Sequence, residues 1–450
     1  MRTTATVALF SLAALASLAV ACQAKTTPST TTTSAAPVAD PAAKKAEEGA
    51  GLSPKAKLAL ARVTGASEVD KKIELAQGAA RKNPANADLW IVLGRAWVRK
   101  ARESNDPGFY LNADACADVV LQEDPGSTVA LDLKSLVQLN DHRFEDAKKT
   151  AERVVASRPD DAMAHGSLSD ALLEMGLYED ATAHAQAMID LKPNLPSYSR
   201  ASHLQWLHGD VAGAKQTVRL AIDAGRDRKD PEPRAWVLTQ AAMIFWHEGD
   251  FDGADAGFDV ALQWLGEFPP ALVGKGRVAM AKGESKRAAE YFQRAHTQSP
   301  LVETAWLLGD ARAAAGDDKG AAEAYAKVRA EGRRTDPRTL SLFLSARGED
   351  AELALSLADE EYKVRKDILT EDARAWALYR GGKIAEAKRS IERARRLGTP
   401  DARLMFHEGA IKIAAGDKAA GRRLVEKALA TNAAFDARGV EEAKKLLEAK

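Results

Sequence analysis

Residues 271–300 read ALVGKGRVAMAKGESKRAAEYFQRAHTQSP, and this stretch decides the fold. Ala271 to Lys282 is a run of helix formers carrying apolar Leu272, Val273, Val278 and Met280. Gly283 breaks the run, because a left-handed C-terminal cap needs a residue without a Cβ penalty. Arg287 to Gln298 starts a second helix, with Ala288, Phe292 and Ala295 spaced four and three apart on one face. Pro300 then ends the unit, since it cannot continue a helix. The stretch is a helix–turn–helix hairpin whose small residues let the two helices approach closely.

The pattern recurs along the chain. Ala147, Ala181, Ala214, Ala254, Ala288, Ala321, Ala354, Ala387 and Gly421 follow one another at gaps of 34, 33, 40, 34, 33, 33, 33 and 34. A second ladder of turn glycines runs about five residues ahead, at Gly176, Gly209, Gly249, Gly283, Gly316, Gly348, Gly382 and Gly416. Self-similarity at this period specifies a stacked-repeat solenoid, in which each unit buries its apolar face against its neighbours. The gap of 40 is explained by an insertion, GRDRKDPEP at 225–233, and a shorter one, ESNDPG at 103–108, interrupts the first unit. The unit around Ala354 has a poorly patterned first helix and follows a stretch, 332–337, that reads as loose.

These units resemble the tetratricopeptide repeat, whose pattern is W-x2-L-G-x2-Y, then A-x3-F, then P. Trp90, Leu93, Gly94 and Trp97 carry the first half, with Trp in place of Tyr. Ala288, Phe292 and Pro300 carry the second half intact, and Tyr178, Ala181 and Pro193, or Phe251, Ala254 and Phe258, carry fragments. The resemblance covers roughly residues 85 to 435 and implies an all-α, right-handed superhelical solenoid of about ten units. It divides the array into repeats one to four (85–233), five to seven (234–337) and eight to ten (338–450), the last block closing on a polar capping helix from Val440. Residues 51–84 read as an irregular leading helical pair.

In this family the first helix of each unit lines a concave groove. Projecting that register gives His203, Trp206, Trp236, Met243, Trp246 and His247 from the fourth and fifth units. Arg277, Trp306, Trp376 and Tyr379 follow from later units. Such a cluster suits a peptide or a saccharide, because rings supply contact area and their N–H groups supply direction. Trp90 and Trp97 are assigned to packing between helices by the family motif, and Trp264 is assigned to packing with them.

The N-terminus sets the expected location. Arg2 precedes an apolar run from Val7 to Ala21, too short to span a bilayer, so residues 1–21 read as a signal peptide. Leu18-Ala19-Val20-Ala21 before Cys22 resembles the bacterial lipoprotein box, although the Leu stands four residues before the cysteine instead of three. The resemblance implies that Cys22 is lipidated. Gln23, rather than Asp, after the cysteine implies the outer membrane, facing the periplasm. Residues 22–50 are rich in Thr, Ala and Pro and cannot bury a core, which makes them a tether spanning about 30 Å.

Composition narrows the function classes. Lys plus Arg equals Asp plus Glu at 64 each, so no global field attracts nucleic acid. Past Cys22, Cys116 is the one other thiol, and its alanine-rich surroundings read as a buried helix position. The eight histidines include no pair at helical three- or four-residue spacing, and neither phosphate loops nor nucleophile elbows occur. The sequence therefore leads to no catalytic residue, no metal and no cofactor. It leads to a non-enzymatic, membrane-tethered scaffold of the bacterial cell envelope whose partners are other envelope proteins or peptides. The alternatives are a scaffold of polysaccharide export or synthesis, a pilotin or outer-membrane assembly factor, and an unrecognised enzyme.

Overall fold

The computed structural model describes residues 52–448 apart from Asn105, Pro107 and Lys229. The expected leader, the lipidated Cys22 and the tether to residue 50 lie outside the described residues. Residues from Leu52 onward form one compact unit. Every regular element among the described residues is helical.

A leading pair, α1 (Pro54–Ala59) and α2 (Glu68–Lys82), precedes ten helix–turn–helix units. Units one to three pair α3 (Ala87–Ser104) with α4 (Gly108–Glu123), α5 (Thr128–Asn140) with α6 (Phe144–Ser157), and α7 (Ala162–Glu174) with α8 (Tyr178–Leu191). Units four and five pair α9 (Leu195–Leu207) with α10 (Val211–Ala224) and α11 (Glu232–His247) with α12 (Phe251–Trp264). Units six and seven pair α13 (Pro269–Ala281) with α14 (Ser285–Gln298) and α15 (Val302–Ala314) with α16 (Asp318–Thr335). Units eight to ten pair α17 (Pro337–Arg347) with α18 (Ala351–Val364), α19 (Ile368–Arg380) with α20 (Ile384–Ala394), and α21 (Ala402–Ala414) with α22 (Lys418–Thr431). A last helix, α23 (Ala437–Glu448), follows. The block edges at 233/234 and 337/338 fall inside the first turns of α11 and α17.

The ladder residues sit where the two helices of a unit cross. Ala147, Ala181, Ala214, Ala254, Ala288, Ala354 and Ala387 have no exposed surface. Opposite them, twelve or thirteen residues earlier, stands a second set of small side chains that the sequence reading passed over. Ser169, Ser202 and Ser341 donate their hydroxyls to the carbonyls of Ala181, Ala214 and Ala354 at 2.8, 2.8 and 2.7 Å. In unit six the place is taken by Gly276, where a Cβ would stand 2.4 Å from the Phe292 ring. That ring fills the crossing, so truncating Phe292 to Ala would cost about 3–5 kcal/mol.

The turn glycines adopt the expected left-handed conformation, from Gly176 at φ 74° to Gly416 at φ 94°. In four units the next residue is an aspartate that caps the following helix: Asp210, Asp250, Asp317 and Asp417 each accept a bond from the backbone N–H three residues on. The second unit turns on His142, at φ 56°, which is why the glycine ladder has no rung there.

The stretch 332–337 is not loose. Helix α16 continues through it to Thr335, and Gly332 is buried, close enough to Leu340 that a Cβ would come within 2.8 Å of that side chain. The glycine serves close approach rather than breakage. The poorly patterned first helix, α17, is well formed, and it buries Leu340, Leu342, Phe343 and Leu344 together. That all-round apolar character is what blurred its periodicity.

The array then meets itself. Carbonyls in the last turns of α7, α9 and α11 have no partner inside their helices, and each accepts a bond from far along the chain, Trp246 O in addition to one from Gly249 N–H at 3.0 Å. Glu174 O accepts from Lys366 N–H at 2.8 Å, Leu207 O from the Thr399 hydroxyl at 2.6 Å, and Trp246 O from Asn432 Nδ2 at 2.8 Å. The separations are 192, 192 and 186 residues, between five and six units. The third is shorter because the 225–233 insertion lies between Leu207 and Trp246. Around the first rung, Ile368 N–H donates to the Tyr178 hydroxyl at 2.8 Å, and Arg365 pairs with Glu174. The turns of units three, four and five thus form a seam with the loops that follow units eight, nine and ten. The insertion itself reaches back to the first unit, where Glu232 and Asp230 pair with Arg99.

Candidate functional site

Most first helices touch the first helix of the next unit, so their side chains share one inner surface. The residues expected to line it fall into three groups.

The first group meets at the seam. The Trp206 ring lies 4.5 Å from that of His247 and 6.3 Å from that of His203, so the fourth and fifth units do bring these three together. Asp401, the N-cap of α21, approaches from the next superhelical turn and places Oδ2 3.4 Å from His247 Nδ1. Enclosure by protein pushes His247 down to about 4, so the ring is neutral at pH 7. Burial also lowers the His203 pKa. Burial works against the Asp401 carboxylate too, but His247, Arg403 and backbone N–H groups together hold it below its usual range. Nearby, Arg200 clasps Asp170 through two bonds of 2.8 and 2.6 Å, joining the inner faces of α7 and α9.

The second group faces solvent. Trp236 is 44% exposed, and Met243, seven residues on along the same helix face, is half-buried. Arg277 holds Glu303 of the next unit at 2.6 Å. Trp246, by contrast, does not belong to this surface. It is buried among Ala235, Ala242, Ala254 and Phe258, 5.3 Å from the Phe251 ring. Its neighbour His247 takes the inner position, because a one-residue step on a helix turns a side chain by about 100°. Trp264 packs against the edge of the same core, half-buried and covered by the guanidinium groups of Arg228 and Arg234 at 4.5 and 4.4 Å. Trp90 and Trp97 are buried, each bonding a backbone carbonyl through its indole N–H.

The third group lies in units seven to ten. Trp376 is buried and stacks on Tyr379 at 4.8 Å and on His407 at 4.0 Å, with Arg380 over its face at 4.6 Å. His407 Nδ1 is 2.7 Å from Asp372 Oδ1, a fully buried pair, and Arg403 Nε stands 3.6 Å from the other oxygen. Trp306 leans edge-on to Phe343 at 5.6 Å. Trp306, Trp376, Arg380, Arg403 and His407 wall a cavity of about 20 Å³ that α23 closes with Gly439 and Glu442. It has room for a water-sized group. A wider cleft of about 450 Å³, lined by Arg62, Thr64, Glu74 and Arg81, lies at the leading pair, away from the repeats.

Asp372, Asp401, Arg403 and His407 were not among the expected residues. Arg403 was within reach of the sequence, since it lies 100 residues, three repeat steps, after Glu303. Asp401 was not, because beyond its helix cap only the seam brings it to His247. One histidine pair also escaped notice: His165 and His184, nineteen residues apart, place their Nδ1 atoms 2.8 Å from each other. No group of three or more potential metal ligands occurs among the described residues. Cys116 is buried, and burial raises its thiol pKa. No described helix is long and apolar enough to cross a membrane.

The repeat pattern has counterparts in known proteins. A sequence profile described as tetratricopeptide repeat matches residues 134–196 and 273–335. A tetratricopeptide-repeat-containing protein of Pseudomonas aeruginosa is 37% identical over 76 residues, which is 16% of this chain and 72% of that protein. Cellulose synthase operon protein C of Pseudomonas fluorescens is 25% identical over 195 residues, covering 41% of this chain and 14% of the relative's own length. Among solved structures, the type IV pilus biogenesis factor PilW aligns with a TM-score of 0.39 at 16% identity, over 48% of this chain and 98% of that one.

Proposed function

Because this chain belongs to the tetratricopeptide repeat family, we propose that it is a protein–protein interaction scaffold of the bacterial cell envelope, tethered through Cys22. It acts by binding rather than by catalysis, and it holds partner proteins or peptides against the inner surface of its first helices. The observation that carries this reading is the exposed face of α11. There Trp236 leaves nearly half its surface in water, with Met243 two turns along the same face. An indole kept exposed on a preformed surface is an anchor for a partner, and a scaffold already ordered loses little entropy on binding.

The test uses surface residues, so that the fold is retained. Crosslinking and pull-down from native envelopes should recover fewer partners with Trp236→Ala plus Met243→Ala than with the wild type. An unchanged set would remove α11 from the binding surface. Cys22→Ser should release the protein from the membrane fraction, and continued sedimentation with membranes would sink the lipid tether. A second reading, a scaffold of polysaccharide synthesis or export, is favoured by the similarity to a cellulose synthase operon protein. Binding of cello-oligosaccharides, read by tryptophan fluorescence, would support it over the first.

A further inference from the structure

The C-terminal helix does not continue the array as an eleventh first helix. It contacts α22 and α21, but it also reaches α17, three units back. The chain leaves α22 through Asn432, anchored on Trp246 O, and sets the Phe435 ring 5.5 Å from Phe406. Helix α23 then lies over the inner faces of α17, α19 and α21, with Glu442 bonded to Arg380 at 2.5 Å. A segment of the chain therefore occupies the surface that carries Trp306, Trp376 and Tyr379.

The occupation is thin. Only Gly439, Val440 and Ala443 of the twelve residues are buried, and a helix of this length is marginal without strong packing. It is also an imperfect chemical match. Among the described residues Trp306 Nε1 and Arg380 Nε are buried with no hydrogen-bond acceptor, Arg403 Nε has only Asp372 Oδ2 at the long distance of 3.6 Å, and all three residues line the small cavity under α23. Every one of these atoms is a donor. Leaving buried donors unpaired is unfavourable, so the surface would favour an occupant that supplies acceptors beside the aromatic rings.

We propose that α23 is a displaceable intramolecular occupant of units seven to ten, and that their external ligand is an acidic, aromatic amphipathic helix of a partner protein. This rests on the scaffold reading above and identifies the chemistry of its partner. Residues 435–448 show the pattern in outline: a ring at Phe435, carboxylates at Asp436, Glu441 and Glu442, and the small apolar Ala437, Gly439 and Val440 between, with Arg438 among them. The partner repeats that pattern with further carboxylates placed at the indole and guanidinium N–H groups. It competes with a tethered helix whose effective concentration is on the order of millimolar.

The experiment compares the full chain with one ending after Ala434, which keeps Asn432 and the seam. The probe is a fluorescein-labelled peptide of residues 435–448. The shortened chain should bind it at least tenfold more tightly than the full chain does. The Glu442→Arg peptide should lose at least tenfold on the shortened chain and regain it when that chain carries Arg380→Glu. In the full chain, amides of α23 should exchange at least tenfold faster than those of α22. Should the shortened chain not fold by circular dichroism, the full chain bearing Glu442→Arg replaces it and should bind the native peptide more tightly than the wild type. A folded shortened chain that ignores the peptide, or α23 amides as protected as those of α22, would overturn the proposal, as would binding of cello-oligosaccharide in place of peptide. Failure here with a pull-down still dependent on Trp236 would leave the scaffold reading standing.

Discussion

Compare the turns of units three to five with those of units six, seven, nine and ten. All turn on a glycine of similar φ, between 73° and 94°. At Gly176, Gly209 and Gly249 an added Cβ would stand 2.5, 3.2 and 2.7 Å from the carbonyl oxygens of Lys366, Gly398 and Thr431. At Gly283, Gly316, Gly382 and Gly416 it would meet nothing within 4 Å. The same residue at the same place in the repeat answers a local need in one set. In the other it answers a local need and a distant one. A glycine that only permits a left-handed turn is replaceable at modest cost, whereas one pressed against another backbone is not.

The largest test of this difference is a matched pair of substitutions. Gly249→Ala should destabilise by roughly 3–4 kcal/mol, from the left-handed backbone plus a clash with Thr431 O. Gly316→Ala should cost about 1–2 kcal/mol, from the backbone alone. Equal shifts in the urea midpoint would mean that the seam yields without resistance.

Next comes acid. His247 is held at about 4, below its ordinary value of 6.5, so the unfolded chain binds a proton that the folded one refuses between those values. The contribution is therefore present above pH 6.5 and lost as pH falls toward 4, about 3 kcal/mol in all. Asp401, Arg277, Arg403 and His203 face this ring and set its field. His247→Gln should flatten stability over that window, and a slope identical to the wild type would place the acid sensitivity elsewhere.

A smaller effect is expected at the third rung. Asn432→Ala removes the bond to Trp246 O, which keeps the one from Gly249 N–H, and should cost about 1 kcal/mol. Hydrogen exchange should then rise around 246–251 and 431–434 together, while the turn at Gly316 stays protected. The smallest effect belongs to the open side of the array. Arg277→Ala breaks a partly exposed pair with Glu303 and should cost under about 1 kcal/mol. A larger loss would show that Arg277 also supports the His247 cluster.

Much of this fold is legible in the chain because each repeat is decided by contacts within about forty residues. The ladder alanines, the turn glycines and the prolines act locally, and the helices fall where those residues put them. The site is less legible, and Trp246 shows why. A histidine and a tryptophan side by side at the end of a first helix look alike as groove residues, yet they face directions about 100° apart. Gly332 shows the converse, since a glycine in a plain sequence reads as a break until the neighbour it makes room for is seen.

The sequence by itself determined the all-helical repeat, its ten units, and the positions where helices cross closely, for these follow from side-chain size and backbone freedom inside one repeat. Tertiary structure alone decided that Glu174, Leu207 and Trp246 would meet Lys366, Thr399 and Asn432, and that α23 would lie across the inner surface. Those contacts depend on the small rotation between neighbouring units summed over five or six of them. No single repeat encodes that sum, so a separation of 186–192 residues leaves no period in the sequence to read.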